Sequence, residues 1–186
     1  MNIENMIEKV DFSKYAGRYD ESINEKLSTS PRNVSLEQIR SYLYGYTFTE
    51  DYVKGIFPDQ MSMDYWRDNA SINDEDVEFS EICIDGLHTG LAETFDGYFV
   101  DSVQESIILM AIDSTGDGKT PETALCVTDV GQEYEYISRV FPYCMLKFVG
   151  QKYQNGVDCL EFEDNKWGVE RIYFDIHRRF EVGYPM

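Results

Sequence analysis

The sequence predicts an α+β fold in which a helical N-terminal two thirds packs on one face of a small, mostly antiparallel C-terminal sheet. Three observations lead there. Apolar residues recur at three- and four-residue intervals up to Ile112, they alternate with polar residues from Leu160 to Ile176, and the two periods meet at a glycine-bearing stretch, Asp113-Ser114-Thr115-Gly116-Asp117-Gly118-Lys119-Thr120-Pro121-Glu122. A single domain over 1–186 is expected: mainly helical over 1–112, a hinge loop over 113–122 and β-rich over 123–186. With 186 residues, 42% hydrophobic and 15% aromatic, the chain has enough apolar surface to bury a core despite its charge.

The elements follow in order. Ile3, Met6, Ile7 and Val10 share one face of a short amphipathic helix, and Asp11 caps a further turn through Tyr15. Tyr19 to Leu27 reads as helical, and Ser28 to Asn33, with Pro31, as a loop. Ser35 with Gln38 three positions on is a capping box, in which each side chain satisfies an orphan amide of the other's backbone. The helix it opens buries Ile39, Tyr42 and Leu43 and is expected to end at Gly45 through a left-handed cap. The string Tyr42, Tyr44, Tyr46 and Phe48 reads as core packing with a hydroxyl-bearing edge. Thr49 to Val53 is another helical turn, followed by a loop through Pro58. Met61 to Ser71 shows no clean period.

Asp74-Glu75-Asp76 supplies the negative first turn that a helix dipole favours, and Phe79, Ile82, Cys83, Leu87, Leu91 and Phe95 follow at helical intervals. Val100, Val103, Ile107, Met110 and Ala111 place a helix over Tyr98 to Ile112, with Asp101, Gln104 and Glu105 on its other face. After the hinge, Ala124 to Val130 is a strand candidate, and Gln132 to Val140 a helix with Tyr134, Ile137 and Val140 inward. Three strands close the chain: Tyr143 to Tyr153, Val157 to Glu163 and Val169 to His177. Asn155-Gly156 joins the first two through a tight hairpin turn that needs positive φ.

Charge is the sharpest compositional signal. The formal net charge is -19, and between Arg67 and Lys119 there is no Lys or Arg while thirteen acids occur. Such a field repels nucleic-acid phosphate and anionic lipid and attracts a cationic partner. The N-terminus lacks the basic and apolar regions of a secretory signal, and no run of about 18 apolar residues could span a bilayer. A cytoplasmic location is expected. Cys83, Cys126, Cys144 and Cys159 are too scattered for a zinc site and sit in apolar patterns, so reduced thiols are expected.

No chemical motif is complete. Gly116-Asp117-Gly118-Lys119-Thr120 lacks the glycine a phosphate-binding loop needs five positions before Gly118, where Asp113 stands. A calcium loop starting at Asp113 would need a glutamate where Ala124 stands. His88 and His177 have no nucleophile context, and neither cofactor nor metal is called for. Asp113 and Asp117 beside the glycine turn are the best carboxylates for a hydrolase.

Three segments, Leu43-Tyr44-Gly45-Tyr46-Thr47-Phe48, Gly116 to Ala124 and Ile172-Tyr173-Phe174-Asp175-Ile176, resemble in that order an uncharacterised bacterial family, the domain of unknown function numbered 4919. The resemblance implies a helical N-terminal portion, a D-G-K-[ST]-x-E-T-A signature before a strand and a closing aromatic strand. It implies no activity, and for many members export from the cell.

The expectation is therefore a non-catalytic acidic binding protein, of the immunity-protein or antitoxin kind, whose carboxylates dock on a basic protein partner and not on nucleic acid or membrane. The residues assigned to that docking are Asp74, Glu75, Asp76, Glu78, Glu81, Asp85, Glu93, Asp96, Asp101 and Glu105. The alternatives are a carboxylate-based hydrolase and a calcium- or sugar-binding module.

Overall fold

The structure, a computed structural model, describes residues 10–69, 102–141, 146–165 and 168–183. Helices α1 (Ser22–Thr29), α2 (Leu36–Tyr46), α3 (Glu50–Val53), α4 (Met63–Asp68) and α5 (Val103–Asp113) precede the sheet. Strand β1 (Leu125–Cys126), helix α6 (Val130–Val140), strands β2 (Phe148–Gln154), β3 (Val157–Phe162) and β4 (Arg171–Asp175) and helix α7 (His177–Val182) follow. The sheet runs β1-β4-β3-β2, parallel between β1 and β4 and antiparallel elsewhere. The α+β reading with a mostly antiparallel sheet holds. No helix among the described residues is long and apolar enough to cross a membrane.

Local signals account for most boundaries. Asp11 accepts from Ser13 N to open the turn Phe12–Tyr15. The capping box is present at α2, with Gln38 N on Ser35 Oγ at 3.2 Å and Ser35 N on Gln38 Oε1 at 2.9 Å. Ser102 caps α5 through Glu105 N. Asn155 and Gly156 turn the β2–β3 hairpin at φ 54° and 86°, and a side chain at Gly156 would strike His177 Cβ at 2.5 Å. Along β3 and β4, Leu160, Phe162, Ile172 and Phe174 face the helices, where Tyr136 meets Phe174 edge-on with ring centroids 5.8 Å apart. Helical and sheet residues share one buried cluster.

The tyrosine string is core. Tyr42 and Tyr44 are fully buried and Tyr46 nearly so, and each hydroxyl donates to an acceptor within the chain: Asn24 Oδ1, Cys126 O and Ile56 O respectively. Burying a phenol without such a partner would cost what the ring gains.

Several expectations are corrected. Gly45 does not cap α2; the helix runs to Tyr46, and the glycine serves close approach, since a Cβ there would lie 2.8 Å from Tyr19 N. Met61 to Ser71 contains α4, capped by Ser62 and short enough to show no period. The strand expected over 124–130 keeps two residues, because Asp129 opens α6 by accepting from Gly131 N and Gln132 N. On α6 Val140 is buried and Ile137 packs against the core as expected, Tyr136 is fully buried with them, and Tyr134 is outward. Arg178 and Arg179 belong to α7 and turn onto their own chain: Arg178 lies 4.1 Å from the Phe48 ring centroid, and Arg179 lies over Tyr52 and donates to Tyr52 O at 2.9 Å. The helices expected over Ile3–Val10 and from Phe79 to Phe95 fall on residues outside those described, Val10 apart.

One buried ion cluster joins three helices. Arg139 of α6, 6% exposed, donates through Nε to Glu105 Oε1 of α5 at 2.8 Å and through Nη2 to Asp64 Oδ1 of α4 at 2.6 Å. Glu105 has no exposed surface, so removing it would leave the buried Arg139 guanidinium with half-exposed Asp64 as its remaining carboxylate. Glu105→Leu is expected to lower unfolding stability in urea by about 3 kcal/mol, and Glu105→Leu with Arg139→Met to recover most of that loss, because an apolar pair of like volume carries no desolvation cost. Equal losses in the single and double variants would remove the ion pair from this role.

Candidate functional site

Of the ten acids assigned to partner docking, nine lie outside the described residues: Asp74, Glu75, Asp76, Glu78, Glu81, Asp85, Glu93, Asp96 and Asp101. The tenth, Glu105, is not on the surface at all; it neutralises Arg139 in the core. This corrects its assignment. A helix carrying Ile107, Ile108 and Ala111 inward also turns Glu105 inward, and the periodicity could not tell an acid bound for solvent from one with a cation waiting.

The glycine-bearing loop holds itself together. Gly118 N donates to Thr123 O at 2.8 Å, Asp117 Oδ1 accepts from Lys119 N at 3.0 Å and from Thr123 Oγ1 at 2.5 Å, and Gly118 O accepts from Tyr173 N of β4 at 2.9 Å. A Cβ on Gly116 would fall 2.2 Å from Thr123 O, which makes glycine obligatory there. Asp113 is buried and accepts from Tyr136 OH at 2.8 Å. Both carboxylates proposed for hydrolysis are thereby engaged in holding structure. Among the described residues no three of His, Cys, Asp and Glu gather in a way that could hold a metal ion.

The loop stands at the edge of the sheet's other face, where Pro121 meets side chains of three strands. Lys152 and Gln154 of β2, Val157, Cys159 and Glu161 of β3, and Arg171 and Tyr173 of β4 line, with Asn155 of the turn, an open groove of about 490 Å³. Register explains the arrangement: Lys152 pairs with Cys159 and Cys159 with Tyr173, while Glu161 pairs with Arg171. Glu161 accepts from Lys152 Nζ at 2.8 Å and Arg171 Nε at 3.1 Å, and Lys152 first, with Arg171 second, holds its carboxyl below the ordinary glutamate value. Burial pushes the Cys159 thiol up, so it is no thiolate at neutral pH. The groove offers charges and hydrogen-bonding edges to a ligand. Neither Cys126 nor Cys159 forms a disulfide.

A second constellation lies between α6 and the sheet, and the sequence reading missed it. Glu133 is fully buried and Asp158 of β3 is 2% exposed; both Glu133 oxygens and Asp158 Oδ1 lack a hydrogen-bond partner among the described residues. Asp158 Oδ2 accepts from Gln151, which also accepts from Tyr134 OH at 3.1 Å. Burial first, then the charges of Asp158 and Asp129, pushes the Glu133 carboxyl up to about 9. The signal was present in the sequence: Glu133 lies on one stripe with Tyr136 and Val140, and an acid on a buried stripe marks a perturbed group. Placing Tyr134 inward with Ile137 and Val140 hid it.

Residues 98–183, a little under half of the chain, match the family model described as a domain of unknown function (DUF4919). No curated protein and no solved structure matches the chain. The match takes in the loop from Gly116 to Ala124 and the segment Ile172 to Ile176 and leaves out Leu43 to Phe48. The resemblance is therefore carried by the part that builds the sheet, and every residue lining the groove lies within it.

The buried glutamate has a measurable consequence. Glu133 keeps its proton in the folded chain up to pH about 9, whereas the unfolded chain releases it near about 4.3, so folding binds a proton between those values. Its contribution is fully present below the unfolded value and is lost as pH rises toward the folded one, at up to about 1.4 kcal/mol per pH unit. Glu133→Gln is expected to flatten the alkaline decline in denaturant stability between about pH 5 and about pH 9 and to raise the melting temperature at about pH 8 by several degrees. An unchanged pH slope would show that this group does not set it.

Proposed function

We propose that this chain, whose C-terminal part resembles a domain of unknown function, is a non-catalytic acidic binding protein of the cytoplasm that docks on a basic protein partner. It would act as an immunity protein or antitoxin does, laying carboxylates over a cationic surface. The observation that carries the reading is the absence of any Lys or Arg between Arg67 and Lys119 in a chain of net charge -19. The described cations add support, because Arg18, Lys54, Arg67, Lys119, Arg139, Lys147, Lys152, Arg171 and Arg178 are each paired with a carboxylate of the described chain. The docking set is Asp74, Glu75, Asp76, Glu78, Glu81, Asp85, Glu93, Asp96 and Asp101, with Glu105 withdrawn to the core.

The test is co-purification with the product of a neighbouring gene, followed by calorimetric titration of the purified pair. The partner is expected to be basic, with affinity falling at least about tenfold between about 50 and about 300 mM salt as screening rises. Asp74→Lys with Glu75→Lys and Asp76→Lys should weaken binding by about 2 kcal/mol or more at low salt with the fold intact by circular dichroism. A neutral or acidic partner, or an affinity indifferent to salt, would defeat the proposal.

One observation favours a second reading, a sugar-binding module: the groove sets the amides of Gln154 and Asn155, the clamped Glu161 and the Tyr173 ring on one face. Glycan-array binding abolished by Tyr173→Ala would support it.

A further inference from the structure

Strand β2 is the outermost of the sheet, and among the described residues no strand pairs with its free edge. Sheet edges of soluble proteins are ordinarily short, charged or covered, because an open row of amides and carbonyls is a template for another strand. This one is seven residues long and carries a single charge, Lys152. Five of the eight large apolar side chains exposed among the described residues gather on or beside it: Phe148, Val149 and Tyr153 in the strand, Tyr134 and Phe180 flanking it. Tyr134 OH reaches Gln151, and Phe180 stacks on Tyr153 at 4.0 Å between ring centroids. Such a concentration marks an interaction surface.

We infer that this edge is where two copies of the chain associate, their β2 strands running antiparallel about a two-fold axis through Gln151 and joining two sheets into one. The register follows from the side chains. About that axis Val149 stands opposite Tyr153 of the second copy, an apolar pair, and Lys152 stands opposite Gly150. Gly150 adds no side chain, and its Cβ position lies 3.9 Å from Glu161 Oε2, so Lys152 of each copy has open passage to the other's Glu161. A shift that centred the axis on Lys152 would set two lysines face to face, so the one charge that protects the edge also selects the register. The bulge between Phe148 and Gly150 ends the pairing on one side.

Net charge opposes this contact. Two copies at -19 each repel, and salt relieves that repulsion, so self-association should tighten with ionic strength while docking on a basic partner loosens. The two contacts are thus separable in one titration. Sedimentation velocity of the full chain in reductant is expected to show a monomer–dimer equilibrium whose dimer fraction grows with protein concentration and between about 50 and about 500 mM salt. Val149→Lys should weaken the dimer about tenfold or more, with the melting temperature of the monomer unchanged. Hydrogen exchange on the wild-type chain gives a readout free of any variant: amides of 148–154 should slow as concentration rises. A monomer under all these conditions would overturn the inference, as would a dimer that survives Val149→Lys or leaves those amides unprotected.

Discussion

The arrangement of this molecule depends on Arg139. A guanidinium cannot be taken from water without anionic partners, and this one finds Glu105 on α5 and Asp64 on α4, so three helices distant in sequence must meet at one point. The pair adds little net stability over an apolar contact of the same volume, but it admits one relative placement of α4, α5 and α6. Glu135, also on α6, extends the constraint by accepting from Ser62 Oγ and Met63 N at the start of α4. With α6 held by its charged residues, its rotation is set, and Tyr136 and Glu133 face the interior while Tyr134 reaches out to β2.

That rotation divides the carboxylates by environment. Glu105 and Asp113 are buried against donors, Glu161 is held at the surface between two cations, and Glu133 is buried beside Asp158 without a cation and keeps its proton. The same side-chain chemistry thus serves as ion-pair member, hydrogen-bond acceptor, surface clamp and neutral acid. Net charge read from composition treats these as equivalent. Only those left in water contribute fully to the field a partner meets.

The two faces of the sheet divide in the same way. The helix-facing side is closed by apolar residues around the buried Glu133 and Asp158, and the other is a polar groove bounded by the self-bonded loop from Gly116 to Thr123. Because that loop donates and accepts its own hydrogen bonds and docks on Tyr173 N, the glycines that looked like a phosphate cradle are explained by close packing of backbone on backbone.

What the sequence determined by itself was local. Capping at Ser35 and Asp11, the Asn155-Gly156 turn, the alternation in β3 and β4 and the change of period at the hinge are all set by residues within a few positions of one another. Tertiary structure decided the rest: that Gly45 makes room for Tyr19, that α6 presents Tyr136 and not Tyr134 to the core, that Glu105 goes inside, and that Lys152, Glu161 and Arg171 share one face. Each of these turns on what comes across from another element. A periodic pattern states which side of a helix or strand is apolar, and the identity of the neighbour decides whether a charge on that side is a cost or a bond.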